Sequence, residues 1–206
     1  MGSYHGPKAR IQRRFGETLM SAPKYSRILE KRGYPPGQHG KTRRPGKKTS
    51  YALQLDEKQK LAFMYNVRER QLRNQFMKAL RKPGNTGTNM LQFLECRLDN
   101  LVYRAGLAPS IWSARQLVGH GHVLVNNKRV NIPSYSVKPG EGITVTEKMR
   151  KNALVKETME ARTETLPYLD VNKEGLSFSF TRIPERTEIP APVNEQLVVE
   201  FYARFA

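Results

Sequence analysis

His120 and His122 stand two residues apart in Gly119-His120-Gly121-His122, so on an extended backbone both imidazoles would face the same side. That spacing suits a metal, but zinc takes three or four ligands, and no cysteine or carboxylate lies close by in sequence. A loop that brings two histidines, two glycines and the basic turn Lys128-Arg129 near Arg115 is better suited to close backbone approach and phosphate contact. The lone cysteine, Cys96, cannot close an internal disulfide, and within an apolar-periodic segment it reads as a small buried hydrophobe. No Walker-type loop, dinucleotide glycine pattern or nucleophile elbow is present. These residues point to binding, with no catalytic residue, no metal ligand set and no cofactor expected.

Positive charge is what the chain has in quantity. Its 206 residues hold 36 Lys and Arg against 18 Asp and Glu, a formal net charge of +18, with a pI of about 10.2. Such an excess calls for a polyanion nearby. The excess is uneven: residues 1–50 carry 13 cations and 2 acids, whereas residues 158–206 carry 5 cations and 8 acids. In the first segment Lys8, Arg10, Arg13, Arg14, Lys41, Arg43, Arg44, Lys47 and Lys48 are interleaved with Tyr4, Phe15, Tyr25, Tyr34 and Tyr51. Cations neutralise phosphates and aromatic rings stack on exposed bases, so this mixture fits RNA. Clusters such as Gly33-Tyr34-Pro35-Pro36-Gly37 interrupt any sustained helical or strand period, and the segment is expected to be a mobile basic arm that orders on RNA.

Further elements must hold these groups in place. A helix is expected from about Leu53, with Asp56 and Glu57 early in it, and a second from about Arg68 to Arg81, with Leu72, Phe76, Ala79 and Leu80 on one side and Arg70 and Arg73 elsewhere. Pro83-Gly84-Asn85 ends it. One long third helix is expected to carry Leu91, Leu94, Leu98, Leu101, Val102 and Ala105, capped by Thr88 or Asn89 and closed by Gly106. A short helix opening at Pro109-Ser110 buries Ile111, Ala114, Leu117 and Val118 and leaves Arg115 and Gln116 outside. Val123-Leu124-Val125, the reversal Asn126-Asn127, Lys128-Arg129-Val130 and Ile143-Thr144-Val145 read as a small antiparallel sheet.

The fold class is therefore α+β: a basic extended N-terminal arm (residues 1–50), a helical domain (51–92) with the C-terminal tail packed nearby, a small domain of two helices on an antiparallel sheet (93–157), and a C-terminal extension and tail (158–206). No apolar run approaches the ~18 residues of a membrane span, and no apolar stretch follows the basic residues near the start as a secretory signal requires. A reducing, cytoplasmic setting with no membrane partner is expected.

The stretches Leu94-Glu95-Cys96-Arg97-Leu98-Asp99-Asn100-Leu101-Val102-Tyr103-Arg104, Ala114-Arg115-Gln116-Leu117-Val118 and Gly119-His120-Gly121-His122-Val123-Leu124-Val125-Asn126 resemble the small RNA-binding domain named for the bacterial small-subunit ribosomal protein number four. Tyr34-Pro35-Pro36-Gly37-Gln38-His39-Gly40, Tyr51-Ala52-Leu53-Gln54-Leu55, Glu57-Lys58-Gln59-Lys60-Leu61, Ile132-Pro133-Ser134-Tyr135 and the segment from Pro192 to Tyr202 resemble that protein's family from end to end. The resemblance implies a structural ribosomal protein of the cytoplasmic small subunit, a primary binder of small-subunit rRNA that nucleates assembly of the subunit body. It adds Tyr34, Gln38, His39, Gln54, Lys58, Lys60, Arg68 and Arg104 to the RNA-contacting candidates. It also implies that the loop from Lys41 to Lys48 grips mRNA where the message enters the subunit. Glu195, Gln196, Glu200 and Tyr202 are implied to face the neighbouring small-subunit protein number five, an interface tied to decoding accuracy. The alternative for that tail is an intramolecular edge against the helical domain. Many family members carry a zinc knuckle whose cysteines would fall at Ala9, Gln12 and near Ala22 and Arg27; this chain resembles the zinc-free branch.

Two other function classes compete. Some pseudouridine synthases carry the same small domain and an Arg-Leu-Asp motif, which Arg97-Leu98-Asp99 matches, but only about fifty residues follow residue 157, too few for a catalytic domain. A DNA-binding role is the other, since net charge alone does not distinguish nucleic acids.

Overall fold

A computed structural model describes residues 4–20, 22–42, 46–161 and 166–205. The chain separates into two compact units, Met1–Arg81 with Ala191–Ala206, and Lys82–Pro190.

In the first unit the arm contains two short helices, α1 (Lys8–Phe15) and α2 (Pro23–Lys31), where no sustained period was expected. Local punctuation sets them. Gly16, at φ 72, closes α1 with its N–H on the Gln12 carbonyl, and Pro23 opens α2 with its preset φ. Each helix is two-sided, with Gln12 and Tyr25 buried and Arg10, Arg14, Lys24, Arg27 and Lys31 exposed. The loop after α2 is gathered by Arg13, whose guanidinium donates to the carbonyls of Arg32, Tyr34 and Pro35 at 3.2, 3.2 and 3.3 Å and lies 4.8 Å from the Tyr34 ring centre. Gly40 closes this loop so tightly that a Cβ there would lie 1.9 Å from the Pro35 carbonyl oxygen.

Helix α3 (Ser50–Met64) starts earlier than expected, because Thr49 caps it by accepting from the Ala52 N–H at 3.3 Å. Asp56 and Glu57 consequently lie past the first turn and hold cations instead of complementing the helix dipole. Asp56 accepts from Arg14 at 3.2 Å and Lys48 at 2.7 Å, and Lys60 bridges Glu57 at 2.9 Å and Glu17 at 2.8 Å. Both ends of the arm are thus tied to α3 by charge. Helix α4 (Glu69–Arg81) buries Leu72, Phe76 and Ala79, the expected stripe, while Leu80 is exposed.

The second unit opens with α5 (Thr86–Glu95) and α6 (Leu98–Arg104), two helices where one was expected, and its cap is Asn85, which accepts from the Thr88 N–H at 3.1 Å. The break comes from partners distant in sequence. Arg97 is extended and bridges to Ser136, the Leu98 N–H donates to the Tyr135 carbonyl at 2.9 Å, and the Val137 N–H donates to the Cys96 carbonyl at 2.8 Å. Inside this corner Arg97 forks onto Asp99 at 3.0 and 2.7 Å, with Arg115 3.8 Å from the same carboxylate. Burial pushes the Asp99 carboxyl above the usual carboxylate range, against the pull of both arginines. Glu95 is equally buried and accepts from Arg104 at 2.9 Å, from Asn100 and from the Tyr168 hydroxyl at 3.3 Å.

Helix α7 (Ile111–Gly119), capped by Ser110, packs against α6. Beyond it come β1 (Val123–Val125), β2 (Lys128–Arg129), β3 (Gly142–Val145), the short α8 (Glu147–Arg150), α9 (Ala153–Ala161), β4 (Leu169–Asn172) and β5 (Ser177–Phe180). The sheet is antiparallel in the order β2-β1-β3-β5-β4, with Val123 opposite Val145, Ile143 opposite Phe178 and Leu169 opposite Phe180. Asn126 and Asn127, at φ 47 and 63, make the tight reversal that two adjacent asparagines tolerate. Leu98, Leu101, Val102, Ala114 and Val118 from the helices meet Val123, Ile143, Val145 and Phe180 from the sheet, all buried in one core. Part of the expected extension, 158–190, therefore completes this unit's helix and sheet.

The chain returns to the first unit as α10 (Glu195–Ala203), a helix; an intramolecular edge was one of the two readings of this tail. It packs on α3 and α4. Asn194 caps it, the Tyr202 ring stacks on Phe76 at 5.1 Å, and its hydroxyl donates to Glu69 at 2.8 Å. Burial, reinforced by that carboxylate, pushes the Tyr202 hydroxyl well above the usual tyrosine range.

Replacing Asp99 with alanine removes the buried carboxylate on which Arg97 forks and is expected to cost about 3–5 kcal/mol. Trp112, the single tryptophan, lies in α7 and reports this unit's unfolding by fluorescence in a urea titration.

Candidate nucleic-acid interface

On the first unit, Arg10, Arg14, Lys41, Lys47, Lys48, Arg68, Arg70 and Arg73 are exposed, as are Gln38, His39 and Tyr51, while Lys8, Arg13 and Tyr34 are half-buried. Burial beside Lys24 lowers the Lys8 ammonium from its ordinary range. Arg13 is occupied with loop carbonyls, and Arg73 donates to the Phe205 carbonyl at 3.2 Å. Arg43 and Arg44 lie outside the described residues.

Other candidates turn inward. Gln54 and Lys58 are buried, Gln54 donating to Glu200 at 2.8 Å and Lys58 pairing with Glu69 at 2.6 Å, so they join α3 to α10 and α4. The Lys60 side chain is only 12% exposed; burial works to lower its ammonium, but hydrogen bonds to Glu17 and Glu57 outweigh that and raise it. Each of these three is a brace within the protein.

On the second unit, Gln116, His120, Lys128 and Arg129 are exposed and His122 is half-buried. Arg115, expected outside, is buried against Asp99, because the α7 face it occupies is the one that packs on α6. Arg104 is largely buried on Glu95. The rings of His120 and His122 lie 6.1 Å apart and border a hollow of about 190 Å3 with Gln116, Met149 and Asn152. Arg129 is fixed at the same place: its guanidinium donates to the His120 carbonyl at 3.0 Å and crosses the face of Gly121, which has φ 70. Burial, then His120, Lys148 and Arg129, lower the His122 imidazole from its usual range, so these neighbours form a positive field around it. Among the described residues no group of three or more His, Cys, Asp or Glu is placed to hold a metal. Cys96 is buried, and burial with Glu95 nearby pushes its thiol up to about 11.

Exposed cations that were not singled out in the sequence share these surfaces. Lys24, Arg27 and Lys31 line the outside of α2, and Lys148, Arg150 and Lys151 lie on or just past α8, Lys148 beside His122. Their charge was visible in the run Glu147-Lys148-Met149-Arg150-Lys151; its place beside the histidines was not. In α10, Glu195 is half-buried, Gln196 and Glu200 are exposed and Tyr202 is buried, so Tyr202 cannot face a partner directly.

Residues 3–95 match the family model described as the ribosomal protein S4/S9 N-terminal domain, and residues 96–143 match the S4 domain. The chain is 52% identical over 204 residues to the small ribosomal subunit protein uS4 of Geobacillus kaustophilus (strain HTA426), covering 99% of this chain and 100% of that one. It belongs to the uS4 family. The uS4 proteins of Christiangramia forsetii (strain DSM 17595 / CGMCC 1.15422 / KT0803) and Brevibacillus brevis (strain 47 / JCM 6285 / NBRC 100599) are each 48% identical over the same length and coverage. Membership in the uS4 family makes the chain a structural, non-enzymatic protein of the small ribosomal subunit in the cytoplasm. Arg97-Leu98-Asp99 is accordingly the buried corner of an S4 domain. No helix among the described residues is long and apolar enough to cross a membrane.

In Gly121→Ala the new Cβ would lie 2.3 Å from Arg129 Nε at a strained φ. The expected result is a loss of about 1–2 kcal/mol in the Trp112-reported unfolding, with Arg129 released from the His120 carbonyl and a shifted Arg129 Nε–Hε resonance.

Proposed function

We propose that the chain binds small-subunit rRNA as a primary binder, holding several RNA helices in fixed mutual angles and so nucleating assembly of the subunit body. One observation carries this: in each unit the acids at structural joints face inward to cations, while a rim of Lys and Arg faces out. Asp56, Glu57, Glu95 and Asp99 are all occupied in this way. Two cationic bodies on one chain can neutralise phosphates of different helices together. The deep major groove of A-form RNA is closed to side chains, so phosphate and shape dominate base reading.

Two finer roles rest on narrower support. Exposed Lys41, Lys47 and Lys48 suit a grip on single-stranded mRNA where it enters the subunit, in company with Arg43 and Arg44. The outward Gln196 and Glu200 of α10, with Glu195 at its start, suit contact with the basic neighbouring protein number five, through which decoding accuracy is affected. Tyr202 supports that face from beneath by fixing α10 on α4.

Filter binding of the full chain to a small-subunit rRNA transcript across a salt series tests the main proposal. The double substitution Lys128→Ala, Arg129→Ala is expected to flatten the log–log salt slope by about 1.4–1.8, two phosphate contacts at roughly 0.7–0.9 each. An unchanged slope, or equal affinity for duplex DNA at matched salt, would count against it.

The lowered His122 imidazole gives a pH signature. A phosphate at this site favours the protonated ring, so the RNA complex takes up a proton, and affinity is expected to rise as pH falls from about 7.5 to 5.5, tenfold for each unit by which RNA raises the ring's pKa. His122→Gln should flatten that rise.

A further inference from the structure

The first unit contains a cavity of about 460 Å3 that a description in terms of surface cations leaves unused. Its volume lies in the range of sites that enclose a small ligand. Tyr4, Phe15 and Phe63 supply aromatic walls, Ala62 and Val67 add aliphatic ones, and Arg14, Lys58, Arg68 and Glu69 supply the charges. Tyr4 stands edge-on to Phe63, with ring centres 5.6 Å apart at 77°, and is 37% exposed. Three cations against one acid around a ring-lined hollow define a ligand that is flat, aromatic and anionic.

The charges are unequal in what they can offer. Lys58 is already neutralised by Glu69 at 2.6 Å. Arg68 is exposed, and the Arg14 side chain is 50% exposed. Arg14 rests on Asp56 at 3.2 Å, but Asp56 also holds Lys48 at 2.7 Å, so Arg14 can turn to another anion without stranding the carboxylate.

We propose that this cavity receives an unstacked nucleotide of the bound RNA, its base against the Tyr4 ring and its phosphates between Arg14 and Arg68. The inference rests on the rRNA-binding function proposed above and adds a recognition element to it. An RNA strand is favoured over a free nucleotide because it brings a phosphate on each side of the base, and the cavity is lined by arginines from two different elements, Arg14 on α1 and Arg68 just before α4. It is also already held by the surrounding cations, so little further freedom is lost.

The test uses the full chain and the rRNA transcript, with dimethyl sulfate probing of base reactivity alongside filter binding. Wild type is expected to shield at least one unpaired base that Tyr4→Ala leaves reactive, with the remaining footprint kept and affinity lowered about 5- to 150-fold. Tyr4→Phe, which keeps the ring, should retain the shield. Arg68→Gln, a surface change, should weaken binding and flatten the salt slope by about one contact. Wild-type reactivity and affinity in both Tyr4→Ala and Arg68→Gln would overturn the pocket while leaving RNA binding intact. No footprint from wild type at all would instead overturn the RNA function. Saturable binding of a nucleoside monophosphate that RNA does not displace would overturn the assignment to RNA.

Discussion

Eighteen acids must hold 36 cations in a folded chain, and their placement governs the rest of the structure. Self-repulsion at this net charge opposes compaction, so an acid left on the surface would do less for the fold than one at a joint. Asp56 takes two cations from opposite ends of the arm, Lys60 ties Glu17 to Glu57, and Glu69 joins α4 to both Lys58 and Tyr202. In the second unit Glu95 and Asp99 are fully buried where α5 turns into α6. Buried pairs of this kind add little net stability, but they strongly penalise any arrangement that separates them. They therefore fix geometry, and the outward cations are left for a partner that brings its own phosphates.

The parts of this arrangement legible in the sequence were those set by local pattern. The stripe of α4, the Ser110 cap of α7 and the Asn126-Asn127 reversal follow from spacing and turn chemistry. The split between α5 and α6 was hidden because apolar periodicity continues from Leu94 to Leu98. What breaks the helix is hydrogen bonding to residues 133–137, about forty positions away. The helices of the arm were obscured by its glycines and prolines, although Gly16 and Pro23 are boundary residues of those very helices. Strands β4 and β5 were passed over within the acidic tail, yet Ser177-Phe178-Ser179-Phe180 alternates as a half-buried strand should.

The candidate interface was legible as composition, and the exposure of its residues only in part. Residue type reveals that an arginine will find an anion, not which one. Arg115 and Arg129 are both basic and both near the histidines in sequence, yet one is sealed against Asp99 and the other lies along Gly121 at the surface. The difference is made by the helix packing that turns Arg115 inward and by a glycine without a Cβ. Gln54 and Lys58 lie on α3 within a stretch that matches the family pattern, but their partners Glu200 and Glu69 place them in the scaffold.

The arm shows how scaffold and interface are coupled. It buries few apolar side chains, chiefly Leu19 and Tyr25, so hydrophobic burial does little to offset the entropy of ordering some fifty residues. Ion pairs to α3 do much of the holding, and those pairs are partly exposed, hence weak and weakened further by salt. Under the proposed rRNA binding, phosphates compete with Asp56 and Glu17 for the same lysines and arginines, so that one set of anions exchanges for another around α1 and α2. Salt screens both sets alike, and on that proposal it loosens the free arm and the complex together.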